Sequence, residues 1–547
     1  MNYLIIGGVA GGATVAARLR RLDEEAGIIL FERGGYISYA NCGLPYYIGG
    51  VIAERSRLFL QTAESFSSRF RIDVRLRHEV TAIHPERKQV EVNNLLTGDS
   101  YTESYDKLAL APGALPIRPN LPGIAGKGIF SFRDVADTDA VRKYIEERKT
   151  RHATIAGGGF IGLEMAENLH KLGISVTIVE RANQVMAPLD YSMASILHRH
   201  LREKQVELIL EDGLEQFEET EQGITVCLRS GRRFDTGMVL LCIGVRPESR
   251  LAEEAGLRIG SLGGIAVNPY MQTSDPSVYA LGDAVEVTHL VSGKPALIPL
   301  AGPANKQARI AADNMALGNT ETYEGTAGNA IVSVFGLTVA TVGANAGLLR
   351  REAIPYLSSY THSASHAGYY PGSETLSVKI LFAPGSGQLL GGQLIGSKGA
   401  DKRVEMLAQV IRQKGSVRDL VRLEQAYAPP YSSVKDPVNV AGCVAENILT
   451  GKMCIIHWYE LEAWKDKALL LDVRTPGEYH AGTLPGAINI PLDALRAHLT
   501  ELPADKPLIV FCAVGQRGYL ACRILTQSGF TDVRNLSGGY RTWSFNA

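Results

Sequence analysis

Three things are scarce in this chain of 547 residues, and each scarcity removes a class of function. Net charge is nearly absent: 56 Lys and Arg stand against 57 Asp and Glu, which leaves no broad basic face for a phosphate backbone. Nucleic acid is therefore not an expected partner. Long hydrophobic runs are missing too, since no stretch reaches the roughly 18 apolar residues of a membrane span. The opening MNYLIIGGVAGG has neither a basic n-region nor a long apolar h-region. Together these point to a reducing cytoplasm and no membrane partner. Paired cysteines are the third absence. Cys42, Cys227, Cys242, Cys443, Cys454, Cys512 and Cys522 include no CxxC, which argues against a disulfide framework and against a cysteine metal or redox pair. No metal is expected, and each cysteine has to be judged as a single thiol.

Glycine, by contrast, is abundant: 57 residues is about a tenth of the chain, against a usual share of about 7%. Glycine serves where backbone turns sharply or approaches a ligand closely. At about 150 residues per domain the length predicts three to four domains. Residues 2–33 read as strand, glycine turn, helix and strand: NYLII, GGVAGG, ATVAARLRRLDEE and GIILFER. The unit returns at 151–181 as HATIA, GGGFIG, LEMAENLHKLG and SVTIVER. Two βαβ units so far apart predict two dinucleotide domains rather than one sheet. From about 325 to 449 strands and helices continue without a phosphate loop, and the last 87 or so residues form a small α/β unit of their own.

In the second βαβ unit Gly157, Gly159 and Gly162 complete a GxGxxG between strand and helix, with Phe160 and Ile161 inside it. Such a turn lets a pyrophosphate sit on a helix N-terminus, where free N–H groups and the dipole favour an anion. Glu180 closes the next strand and would accept from a ribose 2′-hydroxyl, favouring NADH over NADPH; Arg181 beside it weakens that preference. In the first unit the loop runs Gly7, Gly8, Val9, Ala10, Gly11, Gly12, with Val9 in the middle glycine position. Glu32, followed by Arg33, stands where the ribose-binding acid is expected. Two nucleotide sites in one chain suggest a flavin fed by a nicotinamide. Asp283 in YALGDA and Gly244 in LLCIGVRP join the candidate cofactor residues.

The succession of the altered glycine loop, SYANCGLPYYIGG, GGGFIGLE, YALGDA and AYAPPYSSVKDPVN resembles the pyridine nucleotide-disulfide reductase superfamily over roughly residues 1–450. Within it the likeness is to CoA-disulfide reductase and its relatives, the NADH-dependent persulfide reductases and NADH oxidases. The resemblance implies FAD on residues 1–112 and 245–324, NAD(P)H on 113–244 and a dimerisation domain on 325–450. It implies a homodimer as well, and a hydrogen bond from Asp283 to the flavin ribityl chain.

Most such reductases carry CxxxxC beside the flavin, but Cys42 is followed by GLPYYIGG and has no partner in reach. An internal dithiol cycle is excluded. Reducing equivalents then end on a mixed disulfide, a persulfide or a sulfenic acid. The thiolate is the reactive form, so the site is expected to lower the pKa of Cys42, by a helix N-terminus, by nearby donors such as Asn41 and Ser38, or by charge transfer to the flavin. Thr14, Arg18 and Arg21 fall along one side of the first helix. The resemblance makes them coenzyme A contacts together with Ser38, Asn41, Asn305 and Lys435. It also implies two tyrosines, from the partner subunit, that protonate the leaving thiolate. These match Tyr369 and Tyr427, with Tyr370 an alternative to Tyr369. The remaining cysteines, apart from Cys512, fit core positions.

The tail segments LLLDVRTPGEYHAGTLPGAINIPL, VFCAVGQRGYLACRIL and NLSGGYRTW resemble a single-domain rhodanese over residues 460–547. Cys512 opens the loop CAVGQR, whose successive N–H groups would form a nest for a thiolate or persulfide, with Arg517 adding charge. Asp472 and Arg474 are expected to brace the fold. The fold class expected is α/β: two Rossmann-like FAD and NAD(P)H domains, an α+β dimerisation domain and a rhodanese-like α/β domain. The expected activity is NAD(P)H-driven, flavin-dependent reduction of CoA persulfide, polysulfide or CoA disulfide at Cys42, with Cys512 relaying sulfane sulfur. Two alternatives stay open: an oxidase or peroxidase cycling Cys42 through sulfenic acid, and a non-catalytic sulfur carrier or redox sensor.

Overall fold

The strand Asn2–Ile6 is apolar and almost wholly buried, as a strand with a parallel neighbour on each side has to be. Around it a computed structural model, which describes every residue except Gln222, builds a five-stranded parallel sheet. Its order is Val278–Ala280, Lys107–Leu110, Asn2–Ile6, Gly27–Glu32 and Asp73–Leu76. The order reverses at Asn2–Ile6, and in doubly wound sheets ligands bind beyond the carboxyl ends of the strands at that switch point. The glycine turn 7–12 lies at that end of Asn2–Ile6, and Ala111 follows Lys107–Leu110 beside it.

A second parallel sheet repeats the plan in the order Glu207–Ile209, Ser175–Val179, His152–Ala156, Met238–Leu241 and Ile129–Ser131. Here the turn 157–162 and the segment Cys242 to Gly244 share the switch point.

Both turns rest on the same steric constraint. Gly7 and Gly157 leave their strands at φ 97° and 100°, a region that favours glycine. A Cβ on Gly12 would fall inside the carbonyl oxygen of Gly7, and one on Gly162 inside that of Gly157. The helices Ala10–Leu22 and Phe160–Lys171 start there, each aiming its N-terminus at the switch point.

The chain forms two compact units, one of residues 1–185 and 204–328, the other of 186–203 and 329–547. The first holds both parallel sheets. The second holds an antiparallel sheet in the order Ala330–Val334, Leu337–Gly343, Leu389–Gly396, Thr375–Phe382 and Leu357–Ala364. It also holds the parallel tail sheet, ordered Cys454–Ile456, Val533–Leu536, Leu508–Phe511, Leu469–Asp472 and Ile488–Asn489. The helix Tyr191–Glu203, from within the second dinucleotide stretch, packs in this unit: Ser195 Oγ donates to Asn546 Oδ1 at 2.9 Å. The expected α/β class is thus realised, with α+β character in the antiparallel part. Among the described residues no helix is long and apolar enough to cross a membrane.

The steric constraint at the turns is testable. Gly12→Ala sets a methyl against backbone that cannot yield and should destabilise the protein by about 1–3 kcal/mol. Gly159→Ala, where a Cβ meets no atom within 4 Å, should leave thermal unfolding unchanged.

Candidate active site

Each dinucleotide turn is closed by the acid of its second strand. Glu32 Oε2 accepts from Gly8 N at 2.8 Å and its Oε1 from Gly34 N at 2.6 Å. Glu180 repeats this with Gly158 N at 2.8 Å and Ala182 N at 2.9 Å. A carboxylate has about four lone-pair sites, so each acid keeps acceptor capacity for ribose hydroxyls beside a turn open to a pyrophosphate. Gly159, with no protein atom within 4 Å of its Cβ position, leaves the room a pyrophosphate needs. The donor sets fit a dinucleotide at either turn, and the space at Gly159 adds to that fit at the second. Arg33 is engaged with Glu248 through both guanidinium ends, at 2.7 and 2.9 Å.

Asp283 lies in a short 3-10 turn, Gly282–Ala284, after the outer strand of the first sheet, and burial pushes its carboxyl up, against the pull of Arg133. Arg133 donates to the carbonyl of Pro112 at 3.0 Å at the switch point. Gln307, in the helix Ala301–Leu317, accepts from Gly282 N at 2.8 Å and holds the same turn. Neither Arg133 nor Gln307 stands out in the sequence.

Cys42 occupies a 3-10 turn, Asn41–Gly43, just before the helix Leu44–Ile48. The loop is tied down at both ends. On one side Ser38, held at φ 46°, donates its N–H to the Gly8 carbonyl at 2.9 Å. On the other, Tyr46 OH donates to Glu164 Oε1 at 3.0 Å, and Gly49 lies so close to Asn168 that a Cβ would meet the Asn168 Cβ at 2.7 Å. Glu164 and Asn168 belong to the helix that starts at the second glycine turn. Cys42 is thereby fixed between the two nucleotide turns. Glu164 was in view within GGGFIGLE, but its pairing with Tyr46 spans 118 positions and has no local signal.

The expectation that the surroundings lower the Cys42 pKa is reversed by the chain's own groups. The residue is exposed, yet its sulfur is crowded enough for burial to push the thiol up, and Glu164 and then Asp283 push the same way; its own backbone N–H acts against them. The physical reason is first the burial of the sulfur, and then the two carboxylates beside it. Burial raises the pKa of Glu164 as well.

Several residues of the expected substrate site meet. Asn305 Nδ2 donates to Thr14 Oγ1 at 3.1 Å, joining the helices Ala10–Leu22 and Ala301–Leu317. Arg18 directs Nε and Nη2 at Asp313, at 2.7 and 3.2 Å, so part of its guanidinium is engaged. Arg21 and Asn41 are exposed.

In the second unit Tyr369 and Tyr427 share a hydrogen bond of 2.8 Å between their hydroxyls, while Tyr370 sets its ring against His366. That bond raises the pKa of Tyr427. Tyr369 is 76% exposed, a phenol presented outward. Both tyrosine segments are anchored by the fully buried Arg403, which holds Asp436 at 2.8 Å and the Ser365 carbonyl at 2.8 Å. Lys435, next to Asp436, is exposed.

Cys512 ends the strand Leu508–Phe511 and is buried, with Gly515 N donating to its Sγ at 3.1 Å. Arg517 is gripped by Glu478 through two bonds of 2.7 Å; this pairing holds the Glu478 carboxyl down at about 2. Asp472 and Arg474 are buried and paired, and Thr483 adds a bond to Asp472 at 2.8 Å. Of the other cysteines, Cys227 and Cys522 are buried as expected, but Cys454 is exposed. It begins the edge strand of the tail sheet, where one side has no neighbouring strand.

The pyridine nucleotide-disulphide oxidoreductase family matches residues 1–306, and its dimerisation domain matches 330–437. The chain belongs to that family. A rhodanese-like domain matches 457–546. The coenzyme A disulfide reductase of Staphylococcus aureus (strain JH9) is 34% identical over 445 residues, 81% of this chain and 100% of that protein. The solved structure of reduced Bacillus anthracis CoADR-RHD is 49% identical and covers 100% of this chain and 98% of its own, with a TM-score of 0.97. A NAD-dependent persulfide reductase from A. fulgidus is 36% identical over 99% of this chain and 100% of its own, with a TM-score of 0.94. The protein is thus a flavin-dependent oxidoreductase of the NADH-using type, with a rhodanese domain in the same chain.

The electrostatics of Cys42 yield a test with a definite sign. Glu164→Gln removes a negative charge that raises the thiol pKa, so the pH midpoint of Cys42 alkylation, followed on its own peptide by mass spectrometry, should move down. An unchanged or higher midpoint would show that Glu164 does not act on the sulfur.

Proposed function

We propose that this protein uses NADH to reduce a CoA persulfide, a polysulfide or CoA disulfide at Cys42, with sulfide as the product from the sulfane substrates. The observation that carries this reading is the tethering of Cys42, without a second cysteine in its loop, between the two nucleotide turns. FAD and NADH, when bound, supply the electron pair that regenerates the Cys42 thiolate. That thiolate attacks the outer sulfur of the persulfide R–S–SH, forming Cys42–S–SH as the S–S bond of the substrate breaks and R–S⁻ departs; the electron pair then cleaves the new S–S bond, releasing HS⁻ and leaving the Cys42 thiolate. The Tyr369 and Tyr427 hydroxyl pair, contributed across a homodimer, donates a proton to that leaving thiolate. The matched dimerisation domain supports such a dimer.

Thr14, Arg18, Arg21, Ser38, Asn41, Asn305 and Lys435 would hold coenzyme A. The direct bond between Thr14 and Asn305 supports a shared polar surface there. The names of the Staphylococcus and A. fulgidus relatives support CoA and persulfide as the substrate classes. Glu180, its carboxylate beside the second turn, would favour NADH by repelling a 2′-phosphate. Cys512, with Gly515 N at its sulfur and Arg517 nearby, would load or relay the sulfane sulfur.

Two substitutions test the reading on the full chain. Cys42→Ser should abolish NADH consumption with CoA persulfide and with CoA disulfide. Cys512→Ser should slow turnover of sulfane donors while sparing CoA disulfide. NADH consumption driven by oxygen alone, at the rate seen with persulfide, would instead favour an oxidase cycling Cys42 through sulfenic acid.

A further inference from the structure

We propose that the strand Leu357–Ala364 of the antiparallel sheet belongs to the machinery that positions Cys512, with His362 as the positioning residue. The proposal rests on the reading of Cys512 as the sulfur-loading thiol.

Among the described residues this strand is the outer member of its sheet, paired only with Thr375–Phe382. An outer strand presents a row of backbone groups without a ladder partner. Here that edge is turned to the tail. Ser358, Ser359, Tyr360 and Thr361 are all buried, and Tyr360 N donates to Ser537 Oγ at 3.2 Å. His362 makes the second link. Its Nδ1 is 2.8 Å from Ser377 Oγ on the neighbouring strand, and its Nε2 is 2.8 Å from Thr542 Oγ1 on the terminal helix Gly539–Asn546. Burial, helped by Arg541, pushes the imidazole down to about 3. The ring stays neutral at ordinary pH, with one donor and one acceptor nitrogen to serve the two hydroxyls.

The segment Ser537 to Thr542, held from that side, carries the Cys512 loop on the other. A Cβ on Gly538 would come within 2.8 Å of Tyr360 Cβ and clash with Thr542 Oγ1. One on Gly539 would clash with the Cys512 carbonyl and reach 2.9 Å from the amide nitrogens of Val514 and Gly515. Two adjacent glycines therefore let the backbone pass between the sheet and the loop. The terminal helix spends its first free N–H groups on that loop: Tyr540 N donates to the Cys512 carbonyl at 2.8 Å, and Arg541 N to the Ala513 carbonyl at 2.9 Å. Asn535 Nδ2 holds the Gly515 carbonyl at 3.0 Å. In a planar trans peptide the N–H points opposite to the C=O, so pinning these carbonyls sets the direction of the following amides. The same loop carries Gly515, whose N–H donates to the Cys512 sulfur at 3.1 Å. The geometry of the loop thus depends on a sheet outside the rhodanese-like domain.

The test uses the full chain with Thr542→Val, which removes one hydroxyl at constant volume, and His362→Ala. Hydrogen exchange over residues 512–517 should rise. In thiosulfate-to-cyanide sulfur transfer, kcat should fall about ten- to hundredfold, as for misplaced catalytic groups, with KM little changed. Thr542→Ser should restore both readouts, and NADH-driven CoA disulfide reduction should stay at the parent rate throughout. Parent-like exchange and parent-like kcat in Thr542→Val would overturn the proposal. Looser exchange with parent-like sulfur transfer, in that variant and in Cys512→Ser alike, would overturn it at a different place, through the reading of Cys512.

Discussion

Backbone lies on backbone in each nucleotide turn, and most of the first unit is arranged around that contact. Gly12 faces the Gly7 carbonyl and Gly162 the Gly157 carbonyl with no space for a side chain. The closeness lets a helix begin immediately beyond a strand, so its free N–H groups face the switch point of the sheet. It also brings Gly8 N and Gly158 N to the carboxylates of Glu32 and Glu180. From the first turn the Gly8 carbonyl reaches Ser38 and so anchors the Cys42 loop. From the second, the helix carrying Glu164 and Asn168 reaches the other end of that loop.

The placement of Cys42 has an electrostatic consequence. Burial and two carboxylates all oppose a thiolate there. A sulfur engaged in a disulfide or persulfide bond carries no charge, so the same surroundings favour the covalently engaged form over the free anion. At Cys512 the Gly515 N–H lies at the sulfur and the Arg517 guanidinium nearby.

The second unit holds Cys512 and the two tyrosines on fixed scaffolds. The Arg403 and Asp436 pair is buried, and losing either partner would leave the other charge uncompensated. It fixes the two segments that present Tyr369 and Tyr427. At the outer strand of the same sheet, Tyr360 and His362 hold the tail. An edge that would otherwise invite pairing with another chain is used as a seat.

Features carried by contiguous residues were legible in advance: the two glycine turns, the acids after them, Cys42 in its loop, Cys512 at a strand end, and the α/β class. Their physics is local, because φ angles, helix N-termini and strand burial follow from neighbours in the chain. Cys454 was misplaced by the same local logic, since an apolar context does not reveal that its strand lies at an edge. The pairs Tyr46 with Glu164, Thr14 with Asn305 and His362 with Thr542 join positions 118, 291 and 180 apart. The identity of each partner depends on which helices and strands pack together, and packing is a property of the whole chain. The sequence by itself therefore determined which thiols and turns are the candidates for the chemistry. Only the tertiary structure decided the charges around Cys42, the pairing of Tyr369 rather than Tyr370 with Tyr427, and the seat of the Cys512 loop, because distance and burial exist only once the chain is folded.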